Sequence, residues 1–465
     1  MNVKIDNLGV IDHAEMDVGN LTVICGENNT GKTYVTYALY GFLRSWRRIL
    51  AIILENEIKS FLRKESERRL DLVDMFKGKI NEYLNKISEE YSTGLPHIFA
   101  SRPELFEKAK FSINVNGEQD FLVSEYQKTL RDSKQEKVLA TITKTKGQPH
   151  LELVLSDSRL RDSPLGITDF ISDAIADILF SSLLPEVFIA SAERTGAAIF
   201  HKELDFLRTR LIEMIGSGDS KELRNPFRLL RKLEPGYAWP VRDNVDFVRQ
   251  LQDIEKESGV LNKNAPQVLN KFEEIVGGNY KVVKGKGLYY FPSSGGSPRL
   301  TLIESSSSVR ALVDIGFYLR AKANVGDLLM IDEPELNLHP VNQRKLARLI
   351  VELVNQGIKV FITTHSDYIV KEFNTLIMLH KRTSQTKAVQ EKNNYNDSEL
   401  LNPQDVRLYM TCTMTEKRTG MGRRAKLNTL KQASIHDDQG IEASTFDTTI
   451  NEMNKIQTEI LFGEE

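Results

Sequence analysis

Residues Gly26–Thr33 read GENNTGKT. They lie between an apolar run, LTVICG, and a helix-patterned run that begins TYVTYALYGFL. A G-x-x-x-x-G-K-[ST] loop that leaves a strand and opens a helix is the strongest constraint on the chain. It points backbone N–H groups and the positive end of a helix dipole at one anion. Gly26 and Gly31 permit backbone angles and a close approach that side chains would block. Glu27, Asn28, Asn29 and Thr30 complete the loop. Lys32 is placed to reach the β- and γ-phosphates of a nucleotide, and Thr33 to ligate Mg2+.

Three further stretches carry chemistry. Asp327–Glu335 reads DLLMIDEPE, an apolar strand ending in two carboxylates. Asp332 there suits the Mg2+ shell, and Glu333 suits orienting or polarising an attacking water. VFITTHS, ending at Ser366, is a second apolar strand, with His365 at its polar end. One helix separates the two, so their strands can lie side by side and bring His365 to a γ-phosphate. Ser305–Ser308 opens a helix; serines cap helices well, and the same N-terminus can also face a phosphate.

Short alternating runs between about 107 and 155 (FSINVNG, DFLVSEY, KVLATITKTKG, HLELVL) suggest antiparallel strands. Residues from Phe42 to Tyr91 and from Ile199 to Val276 follow a helical pattern without sustained heptads. Beyond Lys381 the chain is looser and more polar, with a final helix expected in TFDTTINEMNKIQTEILFG.

In combination these stretches resemble the ABC-type ATPases of the SMC and RecF group. The nearest likeness is to the overcoming-lysogenisation-defect (OLD) family, among the ATPases often called AAA, and to ATPase subunits of anti-phage systems such as PARIS and Septu. DEPELNLHP, Asp332–Pro340, is the strongest point of likeness, with a D-loop around Asn337–His339; THS, Thr364–Ser366, is the switch likeness. The resemblance implies an α/β fold, an ABC-type P-loop ATPase head with a mixed sheet flanked by helices, an antiparallel β subdomain and large helical insertions. The head would take 1–40, 105–196 and 280–380, including the antiparallel region 105–155. Helical insertions would take 41–104 and 197–279, and a C-terminal accessory region 381–465. It further implies ATP and Mg2+ as cofactors, and a homodimer or higher oligomer in which Ser306, Ser307 and Ser308 of one copy contact the γ-phosphate held by another. No LSGGQ signature is present. The family's Q-loop glutamine is not evident either, and Arg194 in IASAERTG stands where that element falls, as a candidate contact to phosphate or Mg2+-bound water.

The likeness implies a regulatory ATPase of an anti-phage system that controls a separately encoded effector. The alternative is a RecF-like DNA-repair ATPase. A basic loop, KRTGMGRRAK, with Lys417, Arg423 and Arg424, suits nucleic-acid phosphates, a solvated hairpin tip or an acidic protein partner equally. Arg44, Arg47 and Arg48 around Trp46 read as one face of an amphipathic helix. The chain of 465 residues has a net charge of −2, which argues against a protein that coats nucleic acid over its whole surface. Two cysteines, Cys25 and Cys412, cannot build a disulfide framework; they suit a reducing cytoplasm. No signal-peptide core or membrane-length apolar stretch is apparent. The clustered acidic ligands of a Toprim nuclease and the spacing of a zinc site are both missing from the sequence pattern.

Overall fold

The computed structural model describes residues 1–63, 69–116, 122–131, 138–156, 164–200, 236–294, 298–417, 424–436, 440–442 and 455–459. Six strands form its central sheet: β1 (Leu21–Cys25), β2 (Val187–Ala190), β3 (Leu328–Asp332), β4 (Lys359–Thr364), β5 (Val406–Lys417) and β6 (Arg424–Gln432). Their order is β6-β5-β1-β4-β3-β2. All pairings are parallel except β5–β6, which closes one edge as an antiparallel hairpin. Every residue of β1 and β3 is buried, as the middle strands of a sheet covered on both faces must be. Because the strands are parallel, the ends of β1, β3 and β4 share one rim. Cys25 pairs with Thr364, and Asp332 with Thr363. The phosphate loop, the two carboxylates and the histidine are thereby brought to that rim, as their strand contexts suggested.

Helix α1 (Lys32–Arg63) leaves the phosphate loop and runs unbroken for 32 residues, about 48 Å. Val35, Ala38, Leu39, Phe42, Leu43, Trp46, Leu50, Leu54 and Ile58 recur at helical spacing and are all buried. Each large apolar side chain among them contributes roughly 1.5–3 kcal/mol by leaving water. The insertion boundary expected at residue 41 therefore falls inside one continuous helix whose apolar stripe does not pause there. The basic residues around the buried Trp46 are engaged structurally: Arg47 pairs with Asp177 at 2.6 Å and Glu186 at 3.1 Å, and Arg44 with Asp243 at 3.4 Å.

The antiparallel region divides between two sheets. Lys110–Asn114 joins Asn2–Leu8 and Ile11–Asp17, while Tyr126–Arg131, Val138–Lys144 and His150–Leu155 pair with Arg69–Asp71. The strand expected in DFLVSEY forms a few residues later, at Tyr126–Arg131, where Tyr126 Oη donates to Asp177 at 2.7 Å. A third small sheet holds Gly278–Val283, Gly287–Pro292 and Leu300–Thr301.

The C-terminal region differs most from expectation. Read from sequence as an accessory region, it gives β5 and β6 to the central sheet. Val406, Leu408 and Tyr409 are buried in register beside Leu21, Val23 and Ile24. Most of the expected final helix lies outside the described residues, of which 455–459 are helical.

Candidate active site

The phosphate loop is held between β4 on one side and β5 on the other. Gly26 has φ 147 and Gly31 has φ 98, both in the region that favours glycine. A Cβ on Gly26 would meet Thr411 Oγ1 at 1.9 Å, and one on Gly31 would meet Ile11 Cδ1 at 2.6 Å. The G-x-x-x-x-G pattern is thus required by close packing as well as by backbone angle. Thr411 Oγ1 donates to Thr30 Oγ1 at 2.7 Å, across 381 residues of sequence. Asn428 on β6 ties the hairpin to the turn before Ile11: its N–H donates to Asp12 and its side-chain amide to the Val10 carbonyl. Sequence reasoning missed these contacts.

Lys32 is 5% exposed. Its ammonium donates to the Gly26 and Glu27 carbonyls at 3.0 and 2.7 Å and lies 3.4 Å from His365 Nδ1. Burial lowers its pKa, opposed by Glu333 and Asp332. Thr33 Oγ1 donates to Asp332 Oδ2 at 3.4 Å, so the two residues expected to hold Mg2+ are neighbours. One hydroxyl and one dry carboxylate are hard oxygen donors that suit that ion.

The adjacent carboxylates differ. Burial pushes Asp332 up to about 6, although Thr363 donates to it. Glu333 is held below the usual carboxylate range, chiefly by His365, whose Nε2 lies 3.4 Å from Oε1. Asp332 is therefore a desolvated oxygen donor suited to a cation, and Glu333 an ionised group open to the rim. Adjacent acids shifted in opposite directions are a recurring mark of divided roles.

Glu335, not singled out from sequence, braces the switch segment. It accepts from the His365 N–H at 2.6 Å and from Thr364 Oγ1 at 2.9 Å, and burial raises its pKa. Gln343 joins the D-loop to the same segment, donating to the Leu338 carbonyl and accepting from Ser366 Oγ. The only advance signal was their position just after the two carboxylates.

Helix α2 (Ser307–Ala311) begins at the serine cluster. Ser306 is its N-cap, accepting from the Val309 N–H at 3.4 Å, and Ser306 Oγ lies 2.8 Å from Ser308 Oγ. Ser306 and Ser307 are exposed, whereas Ser305 is buried and donates to the Thr301 carbonyl. Among the described residues, no hydrogen bond joins the cluster to the phosphate loop of the same chain.

Arg194 has a different place from the one expected of it. It is 1% exposed, and its guanidinium donates to the carbonyls of Ser191, Ala311, Asp332 and Glu333. It lies beneath the rim, not on it. The neighbouring Glu193 accepts from Tyr37 Oη at 2.8 Å. Of the basic loop, Arg423 lies outside the described residues, and Lys417 and Arg424 are described only as paired backbone where β5 meets β6.

A sheet with the phosphate-loop strand at its centre, the histidine strand next to it and the twin-carboxylate strand beyond is that of an ABC-type P-loop ATPase, α/β in fold. The family model for the AAA ATPase domain matches residues 1–159 and 242–370, well over half of the chain, and the chain belongs to that family. Two curated relatives are the fluoroquinolones export ATP-binding proteins of Mycobacterium tuberculosis strains CDC 1551 / Oshkosh and ATCC 25618 / H37Rv. Each is 44% identical over 48 residues, which is 10% of this chain and 16% of the relative. The chain thus spans about a sixth of the length of these relatives.

Among solved structures, the SMC head domain from Thermotoga maritima is 9% identical, covering 93% of this chain and 98% of that one, with TM-score 0.28. An SMC head bound to the C-terminal winged-helix domain of ScpA is 12% identical, covering 92% and 97%, with TM-score 0.31. Superpositions this loose fix neither a fold nor a partner. No helix among the described residues is long and apolar enough to cross a membrane.

Proposed function

We propose that the chain binds ATP with Mg2+ at this rim, hydrolyses it, and acts as a nucleotide-switched regulatory subunit of a cytoplasmic anti-phage system that controls a separately encoded effector. The convergence of Lys32, Thr33, Asp332, Glu333 and His365 on one rim supports the hydrolytic part. The N–H groups of Gly26–Thr33 bind the phosphates, and Lys32 exchanges the Gly26 and Glu27 carbonyls for phosphate oxygens. Thr33 and Asp332 would hold Mg2+, which neutralises charge developing on the transferred group. Glu333, ionised and open to the rim beside His365, orients the attacking water. His365 hydrogen-bonds the γ-phosphate. Ser306, Ser307 and Ser308 of a second copy complete the site, consistent with a cluster that is partly exposed and unattached to its own loop.

The regulatory role rests on the likeness of DEPELNLHP and THS to anti-phage ATPases. Slow hydrolysis suits such a switch. The test is assembly of Glu333→Gln with ATP and Mg2+, measured by sedimentation. A dimer or larger species that needs ATP is expected; a monomer with or without ATP would contradict the shared site. The RecF-like reading, with DNA held through Lys417, Arg423 and Arg424, draws on the basic stretch KRTGMGRRAK of the sequence. It gains if duplex DNA strongly stimulates hydrolysis and loses if the rate ignores DNA.

A further inference from the structure

We infer that Arg194 is a positioning residue that fixes Glu333 in its working conformation and joins it to the serine-capped helix α2. Glu333 has φ 52, a left-handed conformation that costs a non-glycine residue on the order of 1 kcal/mol and persists only where its surroundings enforce it. Both of its backbone polar groups are held. Its N–H donates to the Thr363 carbonyl at 3.1 Å, and its carbonyl accepts from Arg194 Nη2 at 2.8 Å. Arg194 Nη1 holds the preceding Asp332 carbonyl at 2.6 Å and its own Ser191 carbonyl at 2.9 Å. The peptide that aims Glu333 towards His365 is therefore gripped from β4 above and from Arg194 below.

The Nε–H reaches another element. Nε donates at 2.8 Å to the carbonyl of Ala311, the last residue of α2. One rigid guanidinium thus spans the turn after β2, the end of the serine-capped helix and the backbone of the water-orienting glutamate. Arginine suits this geometry, because its planar fork carries five N–H donors in fixed directions, whereas a lysine ammonium is a single point with three. Burial disfavours the charge, and Asp314 is the strongest of the carboxylates that retain it. Asp314 lies in Val313–Phe317, the helix that follows α2 directly.

This assignment rests on the proposed role of Glu333 and deepens it. Ser306–Ser308 on α2 face the nucleotide of a second copy, and Glu333 faces the chain's own. A movement of α2 on meeting the second nucleotide would reach Glu333 through Arg194.

The experiment measures single-turnover hydrolysis and ATP affinity for Arg194→Met, Arg194→Lys, Glu333→Gln and Arg194→Lys with Glu333→Gln. Arg194→Lys keeps a charge of similar reach and guards against loss of the fold, which thermal melting checks. The expected result is a hydrolysis rate lower by about 10- to 100-fold in Arg194→Lys, with ATP affinity within about 2-fold of the parent. In the Glu333→Gln background the same change should lower the residual rate no further. Losses that multiply in the double variant would overturn the assignment, because Arg194 would then act independently of Glu333. An ATP affinity lowered tenfold with an unchanged rate would overturn it too, making Arg194 a nucleotide ligand. If Glu333→Gln alone leaves the rate unchanged, the site assignment fails first, and the role of Arg194 fails with it.

Discussion

The phosphate loop has two neighbours of opposite character. On the β4 and β3 side stand Asp332, Glu333, Glu335, His365 and the Arg194 fork, most of them wholly or partly buried with shifted acidities. On the β5 and β6 side stand hydroxyls and an amide: Thr411 against Thr30, Thr413 against Asn428, and Asn428 against the Val10–Asp12 turn. Both sides touch the same loop, yet only one can stabilise changing charge. The charged side would set the rate, while the neutral side would set the shape of the loop and hence how tightly a nucleotide is held.

Lys32 belongs to both, since it opens the helix and faces the charged side. Its loss should have the largest effect: Lys32→Ala is expected to lower ATP affinity by about 100-fold or more, measured by fluorescence titration. Retained affinity would erase the distinction between the two sides.

The next effect lies in stability. Burial pushes Asp314 up to about 6 from an ordinary 3.8, against the pull of Arg194. A carboxyl whose folded pKa is raised destabilises the fold once ionised. Its cost is absent below about 4, grows as pH rises to about 6, and is full above that. Asp314→Asn should therefore gain stability relative to the parent across this window, by about 3 kcal/mol at most. Denaturant unfolding at pH 4 and pH 7 measures the difference, and an equal gain at both values would show that Asp314 does not carry it.

The smallest effect is the one that sharpens the contrast. Thr411→Val removes the hydroxyl against Thr30 and keeps the shape of the side chain. ATP should bind about 3-fold more weakly while the rate of hydrolysis of bound ATP stays the same. A loss of rate instead would mean that the hairpin takes part in the chemistry.

What was legible in the sequence was what is local in the chain. GENNTGKT, DLLMIDEPE and VFITTHS each carry their strand and their chemistry within a dozen residues, and parallel pairing brings them to one rim without further information. The hairpin was not legible as part of the sheet, because β5 finds β1 across almost the whole length of the chain and its polar flanks resemble a surface tail. The continuity of α1 was obscured by charged residues on its outer face, although its apolar spacing never breaks. Arg194 was noticed for its place after a strand, where a Q-loop would fall, but a contact list cannot be read from position. Whether an arginine meets a phosphate or four carbonyls depends on which side of the sheet's end it enters, and that is decided by the packing of α2 and β3 around it.

The central claim is that Glu333 works on bound ATP while the loop holds it. The most direct measurement pairs ATP binding with single-turnover hydrolysis in the parent chain and in Glu333→Gln. The account predicts binding within a few-fold of the parent and hydrolysis slower by about 100- to 1,000-fold. Hydrolysis at the parent's rate in Glu333→Gln would contradict it.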